Sequence, residues 1–175
     1  MNWYDEKDYK FHVKQLDLAH FSSLKLNDNH KLALGVQYRF EDNFGGNDQN
    51  ELRFTEEYKY EILRGETEFE HRLRVEQRFA GSLTSHRFRY KFGITHPLNP
   101  NLKDGEGIHL IAILESLLTV SDASKPEYEQ RISGGIGWPL TTYAELELGM
   151  QYRLDDFTQN LGHELFFVTG LNFKL

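Results

Sequence analysis

With 175 residues the chain is long enough for one domain with a sizeable core, and its 27% charged and 39% hydrophobic residues exclude a helical membrane protein and argue against a disordered chain. The absence of cysteine excludes a disulfide framework and a thiolate metal site, and no apolar run approaches the roughly eighteen residues that a transmembrane helix needs. A net charge of −7 without a basic block argues against a nucleic-acid partner. The start, MNWYDEKDYK, lacks the apolar stretch of a signal peptide, so the chain reads as cytosolic or as a mature form carrying an added initiator Met1.

In chain order, residues 9–26 predict a less regular strand, or two. Residues 31–41 alternate Leu32, Leu34, Val36, Tyr38 and Phe40 with Ala33, Gly35, Gln37, Arg39 and Glu41. Residues 52–62 set Leu52, Phe54, Tyr58, Tyr60 and Ile62 against Arg53, Thr55, Glu57, Lys59 and Glu61, with Glu56 interrupting the apolar set. In residues 68–79 the split is sharpest: Glu68, Glu70, Arg72, Arg74, Glu76 and Arg78 on one side, Phe69, His71, Leu73, Val75, Gln77 and Phe79 on the other. Residues 87–96, 128–138, 142–154 and the closing ELFFVTGLNFKL repeat the pattern, while 108–120 is apolar on both sides except at Glu115. Side chains of a strand alternate between two faces, so each segment predicts a β-strand. NDNH at 27–30, Arg64-Gly65, Ala80-Gly81 and PLTT at 139–142 predict turns, and no segment predicts a helix. The expected fold is all-β, an antiparallel up-and-down barrel spanning 1–175 as one domain.

Alternation alone does not say which face is wet: a lipocalin-like soluble barrel with an apolar ligand inside and a transmembrane barrel share it. Three features favour the membrane. Most runs sustain ten to thirteen residues, as a bilayer crossing requires. Aromatic residues cluster near the ends of the apolar faces, at Tyr38 and Phe40, Tyr58 and Tyr60, Trp138, Tyr152 and Phe173. The polar faces are also nearly neutral. They carry twelve basic residues, Arg39, Arg53, Lys59, Arg72, Arg74, Arg78, Arg87, Arg89, Lys91, Arg131, Arg153 and Lys174. Against them stand eleven acidic ones, Glu41, Glu57, Glu61, Glu68, Glu70, Glu76, Glu115, Glu129, Glu145, Glu147 and Glu164. Buried charges are tolerable only when paired, so this balance fits a narrow lumen. The expected site is therefore an ionic network inside the barrel, built from Arg39, Arg53, Glu57, Lys59, Arg72, Arg74, Glu76, Arg78, Arg87, Arg89, Glu115, Arg131, Glu145, Glu147 and Arg153. Glycines on the same face (Gly35, Gly93, Gly135, Gly137, Gly149, Gly170) are expected to make room for the long arginines, and His71, Gln77 and Glu56 to face lipid.

Chemistry is sparse by comparison. His12, His20 and His30 form no ligand spacing. His163-Glu164 and Asp155-Asp156 lack a nucleophile or a second carboxylate pair placed by spacing. The acidic loop residues Asp42, Asp48, Glu51, Asp104 and Glu106 lack the ligand run of a calcium loop, and SGGIG at 133–137 lies inside a strand with no helix after it. No catalytic residue, metal or cofactor is implied.

The segments LGVQYRF (34–40), HRLRVEQRF (71–79), HRFRYKFGITHPL (86–98), ELELGMQYR (145–153) and GHELFFVTGLNFKL (162–175) resemble a family of Gram-negative outer-membrane barrels, domain of unknown function 2490, over roughly residues 30–175. The resemblance implies a location in the bacterial outer membrane and carries no catalytic residues. The last strand resembles the C-terminal signal read by the outer-membrane insertion machinery, with Leu175 in place of the usual terminal aromatic residue. A barrel with its C-terminus in the periplasm and an even strand number needs two strands within residues 1–26, giving ten, with eight as the alternative. The functional expectation is a non-enzymatic barrel with a closed interior, structural or docking to another envelope protein, with outer-membrane lipid around it. A narrow channel for small solutes is the alternative.

Overall fold

The computed structural model describes residues 15–41, 50–98, 107–156 and 161–173. Nine strands lie in this part of the chain: β1 (Gln15–Lys25), β2 (His30–Glu41), β3 (Glu51–Arg64), β4 (Thr67–Ala80), β5 (Leu83–Pro97), β6 (His109–Ser121), β7 (Glu127–Thr141), β8 (Ala144–Asp155) and β9 (Gly162–Phe173). They run from 11 to 15 residues, well beyond the usual globular strand and long enough to cross a bilayer at a tilt. All nine form one antiparallel sheet in chain order, each strand paired with the next. The strands expected from alternation are all present at nearly the expected bounds.

Of the two strands expected in residues 1–26, β1 is one; the rest of that segment lies outside the described residues. Among the described residues β1 and β9 are the edges of the sheet. In a meander of nine they run in the same direction, so an antiparallel closure takes an even number of strands.

Two of the tight turns follow directly from glycine. Gly65 (φ 60°) and Gly81 (φ 58°) each take the first of two loop positions, between Arg64 and Thr67 and between Ala80 and Leu83. A positive φ at that place is the pattern of the II′ hairpin, whose twist matches that of the flanking strands. In the β1–β2 turn the Asn27 side chain accepts from the backbone N–H of Asn29 (2.9 Å) and His30 (3.0 Å).

The register sorts the two faces as the alternation predicts. Glu76 lies opposite Thr55 and Arg87, and Val75 opposite Glu56 and Phe88. Arg53, Thr55, Glu76, Glu115 and Leu117, all on the charged face, are buried, whereas Leu18, Phe54, Leu73, Ile132, Met150 and Phe167 on the apolar face are exposed, Phe167 to 82%. The charged face is therefore the enclosed one. A soluble barrel with an apolar interior would need the reverse. His71, Gln77 and Glu56 stand on the outward face, as expected.

The inward glycines do make room, but not for arginine. The Phe21 ring lies over Gly35 directly across from it, and the His109 ring lies over Gly137. Gly135 and Gly149 face each other across β7 and β8 with the backbones packed together: a Cβ on Gly135 would lie 2.6 Å from the Leu148 carbonyl oxygen, and one on Gly149 2.8 Å from that of Gly134. The two backbones approach here more closely than any side chain permits. Gly135→Ala should accordingly lower stability by about 1–3 kcal/mol, read as a shifted urea midpoint in detergent micelles. The same change at Gly93, where the nearest atom is 3.5 Å away, should cost less.

Candidate functional site

The charged residues expected in the ionic network stand on one face of the sheet, and many of them hold one another across neighbouring strands. The hub is Glu76 on β4, 1% exposed. It accepts hydrogen bonds from Arg78 and lies 3.8 Å from Arg74, 3.8 Å from Arg89 and 3.9 Å from Arg53. Arg74 donates from Nε (2.7 Å) and a terminal nitrogen (2.5 Å) to Glu57, the residue directly opposite it on β3. Arg72 reaches the same carboxylate only at 3.9 Å. Arg53 is bonded to Glu51 at 2.5 Å and 3.0 Å. On the far side, Glu115 lies 3.6 Å from Arg89 and 3.4 Å from Arg131, which also bonds to Glu129. This network joins six arginines to five carboxylates among the described residues. A second one joins Lys31, Lys59 and Lys91 to Glu61 and Glu70, at 2.5–3.0 Å.

The remaining expected members are placed more loosely. Arg39 forms a two-pronged pair with Asp17 (2.8 and 3.0 Å) near the end of β2. Arg87 donates to the Thr119 hydroxyl (2.9 Å) and forms no ion pair among the described residues. Arg153 donates to Gln151 (2.6 Å) and stacks 4.3 Å above the Phe166 ring. Glu147 accepts from Asn172 (2.7 Å). Glu145 meets His109 at 3.6 Å although β7 lies between their strands; only the missing side chain at Gly137 lets the imidazole across.

Several members were not in the expected set. Asp17 sits on the irregular first strand and Glu51 at the boundary of an acidic loop, where it had read as a loop residue; it is the first residue of β3 and bonds to Arg53. Lys31 is the second residue of β2 and His109 the first of β6. The signal for Lys31 was parity: it precedes Ala33 by two and so shares its face.

The interior is uneven. β3 to β5 carry most of the charge, whereas between β6 and β9 the inward positions Ile111, Ile113, Ser133, Gly135, Gly149 and Val168 surround a hollow of about 140 Å³. Outside, histidine–tyrosine pairs decorate the apolar face: His30 with Tyr58 (2.6 Å), His71 with Tyr90 (2.8 Å) and His163 with Tyr152 (2.6 Å). Such rings with a polar edge suit the headgroup level of a membrane. His163 is thus engaged with a tyrosine hydroxyl. No group of three or more histidine, aspartate or glutamate side chains is arranged to hold a metal ion among the described residues.

A single meander of long strands, greasy outside and ionic inside, defines the class: an outer-membrane type of β-barrel fold. A solved structure of OmpT, described as an in-vitro folded outer membrane protein of Vibrio cholerae in trimer form, superposes on it with a TM-score of 0.55 at 11% identity. The match covers 90% of this chain and 53% of that one, so the chain spans about half the length of that neighbour. The chain belongs to the family described as Protein of unknown function (DUF2490), which matches residues 2–164. The match thus begins nearer the N-terminus than the resemblance at 30–175 and ends within β9. A search of curated proteins returns no match.

Proposed function

We propose that the protein is an integral barrel of the Gram-negative outer membrane whose interior is closed by ion pairs, and that it acts without enzymatic chemistry, as a structural element or docking partner for another envelope protein. The observation that carries this reading is how the inward charges are spent. Most of the β3–β5 cations touch a carboxylate on the same or an adjacent strand, with Glu76 almost wholly buried among four arginines. A solute path needs charges that face open water, and a barrel of eight to ten strands has an interior that side chains about fill. The outer membrane as location rests on the outward apolar face, the strand lengths and the fold shared with OmpT.

The test is electrical. Purified protein inserted into a planar lipid bilayer should show no steady conductance above the bare membrane. Stepwise, ion-selective openings would instead support the narrow channel.

A further inference from the structure

We infer that the interior holds a binding site for one small oxyanion, such as phosphate, between β4 and β5 at the guanidinium groups of Arg72 and Arg89. The inference rests on the enclosed charged face and is independent of the docking role.

Register creates the site. Arg72 pairs directly with Lys91 and Arg74 with Arg89, so four cations occupy four adjoining inward positions. Like charges directly opposite one another destabilise a sheet unless an anion lies between them. Among the described residues the nearest carboxylates face other cations, although Glu70 Oε1 is itself buried without a hydrogen bond. Glu57 is taken by both bonds of Arg74, and Glu70 lies 2.8 Å from Lys91 and 3.0 Å from Lys59. Glu76 is hydrogen-bonded by Arg78, and Glu115 is shared with Arg131. Arg72 and Arg89 are left with ion contacts of 3.6–3.9 Å, too long for hydrogen bonds. Their Nε–H groups are buried and have no acceptor among the described residues.

The charge count agrees. The network that contains both arginines has six arginines and five carboxylates, and Arg87, next to Arg89 on the same inward face of β5, adds a cation without an ion pair among the described residues. Among the described residues, cations therefore outnumber carboxylates by one or two where two buried Nε–H groups lack an acceptor. Arg72 and Arg89 are diagonal neighbours on adjacent strands, roughly 7–8 Å apart at their bases. A tetrahedral oxyanion held by both would offer several acceptors to planar guanidinium groups and neutralise their charge, which water does not.

The probe is inorganic phosphate. The full chain refolded in detergent micelles is dialysed to equilibrium against radiolabelled phosphate at constant ionic strength set by chloride. We expect saturable uptake of about one phosphate per chain, displaced by sulfate. Affinity should fall at least tenfold in Arg72→Gln and in Arg89→Gln and stay unchanged in Arg39→Gln, whose partner is Asp17. Should a glutamine variant fail to refold, the wild type decides: phosphate should raise its heat-unfolding midpoint on gels above an equal ionic strength of chloride. No saturable uptake, no rise beyond chloride, or full affinity in both site variants would overturn the inference. None of these results depends on the bilayer conductance, so this site and the closed-barrel reading fail separately.

Discussion

Glu76→Gln should lower the folding free energy by about 3–5 kcal/mol, the range seen when one partner is removed from a buried charge network. Glutamine keeps the shape and removes the charge, leaving Arg53, Arg74, Arg78 and Arg89 around a neutral amide in an enclosed space. The measurement is a urea titration in detergent micelles, followed by heat-modifiable gel migration. As a reference, Lys25→Gln breaks an ion pair of 2.8 Å between two exposed side chains and should leave the urea midpoint essentially unchanged. If both variants fall within about 0.5 kcal/mol of wild type, the hub role of Glu76 is wrong.

The second large effect belongs to the outward face. Leu114 is the sixth of the thirteen residues of β6 and 44% exposed, which places it mid-strand toward lipid. Leu114→Arg should cost about 2–4 kcal/mol in a membrane, because an arginine at the midplane of a barrel's lipid face loses its hydration. Glu56, exposed on the same face as the sixth residue of β3, already carries a smaller version of that penalty. Glu56→Leu should therefore stabilise the protein, by up to about 2 kcal/mol. On a soluble barrel both signs change: an outward arginine is harmless and an outward leucine a liability. The pair of variants, measured by the same urea titration in lipid vesicles, reads the environment of the face.

How much of this was legible in the sequence varies with the kind of fact. Wherever one face is charged and the other greasy, as in residues 68–79, a two-residue period fixes both strand and facing, and β4 follows it residue by residue. β1 did not yield in the same way. Its outward set, Leu16, Leu18, His20, Ser22 and Leu24, is interrupted by two polar residues, and its inward set includes Phe21; only the register with β2 assigns them. Composition predicted that the inward charges would balance, but partners depend on geometry. Glu57 binds the arginine directly opposite, whereas Lys59, opposite Arg72, turns to Glu61 and Glu70. The His109–Glu145 contact was beyond sequence reasoning, since it depends on the space above a glycine of the intervening strand. For the same reason the inward glycines provide space, as their pattern implies, but to Phe21 and His109 rather than to arginine.

In this barrel the greasy face is expected to meet lipid and the ionic face to be enclosed. Refolding from urea, with and without detergent micelles or lipid vesicles, tests it most directly, read by circular dichroism and heat-modifiable migration. The predicted result is compact β structure that forms only when micelles or vesicles are present. A monomer that folds fully in plain buffer would contradict it.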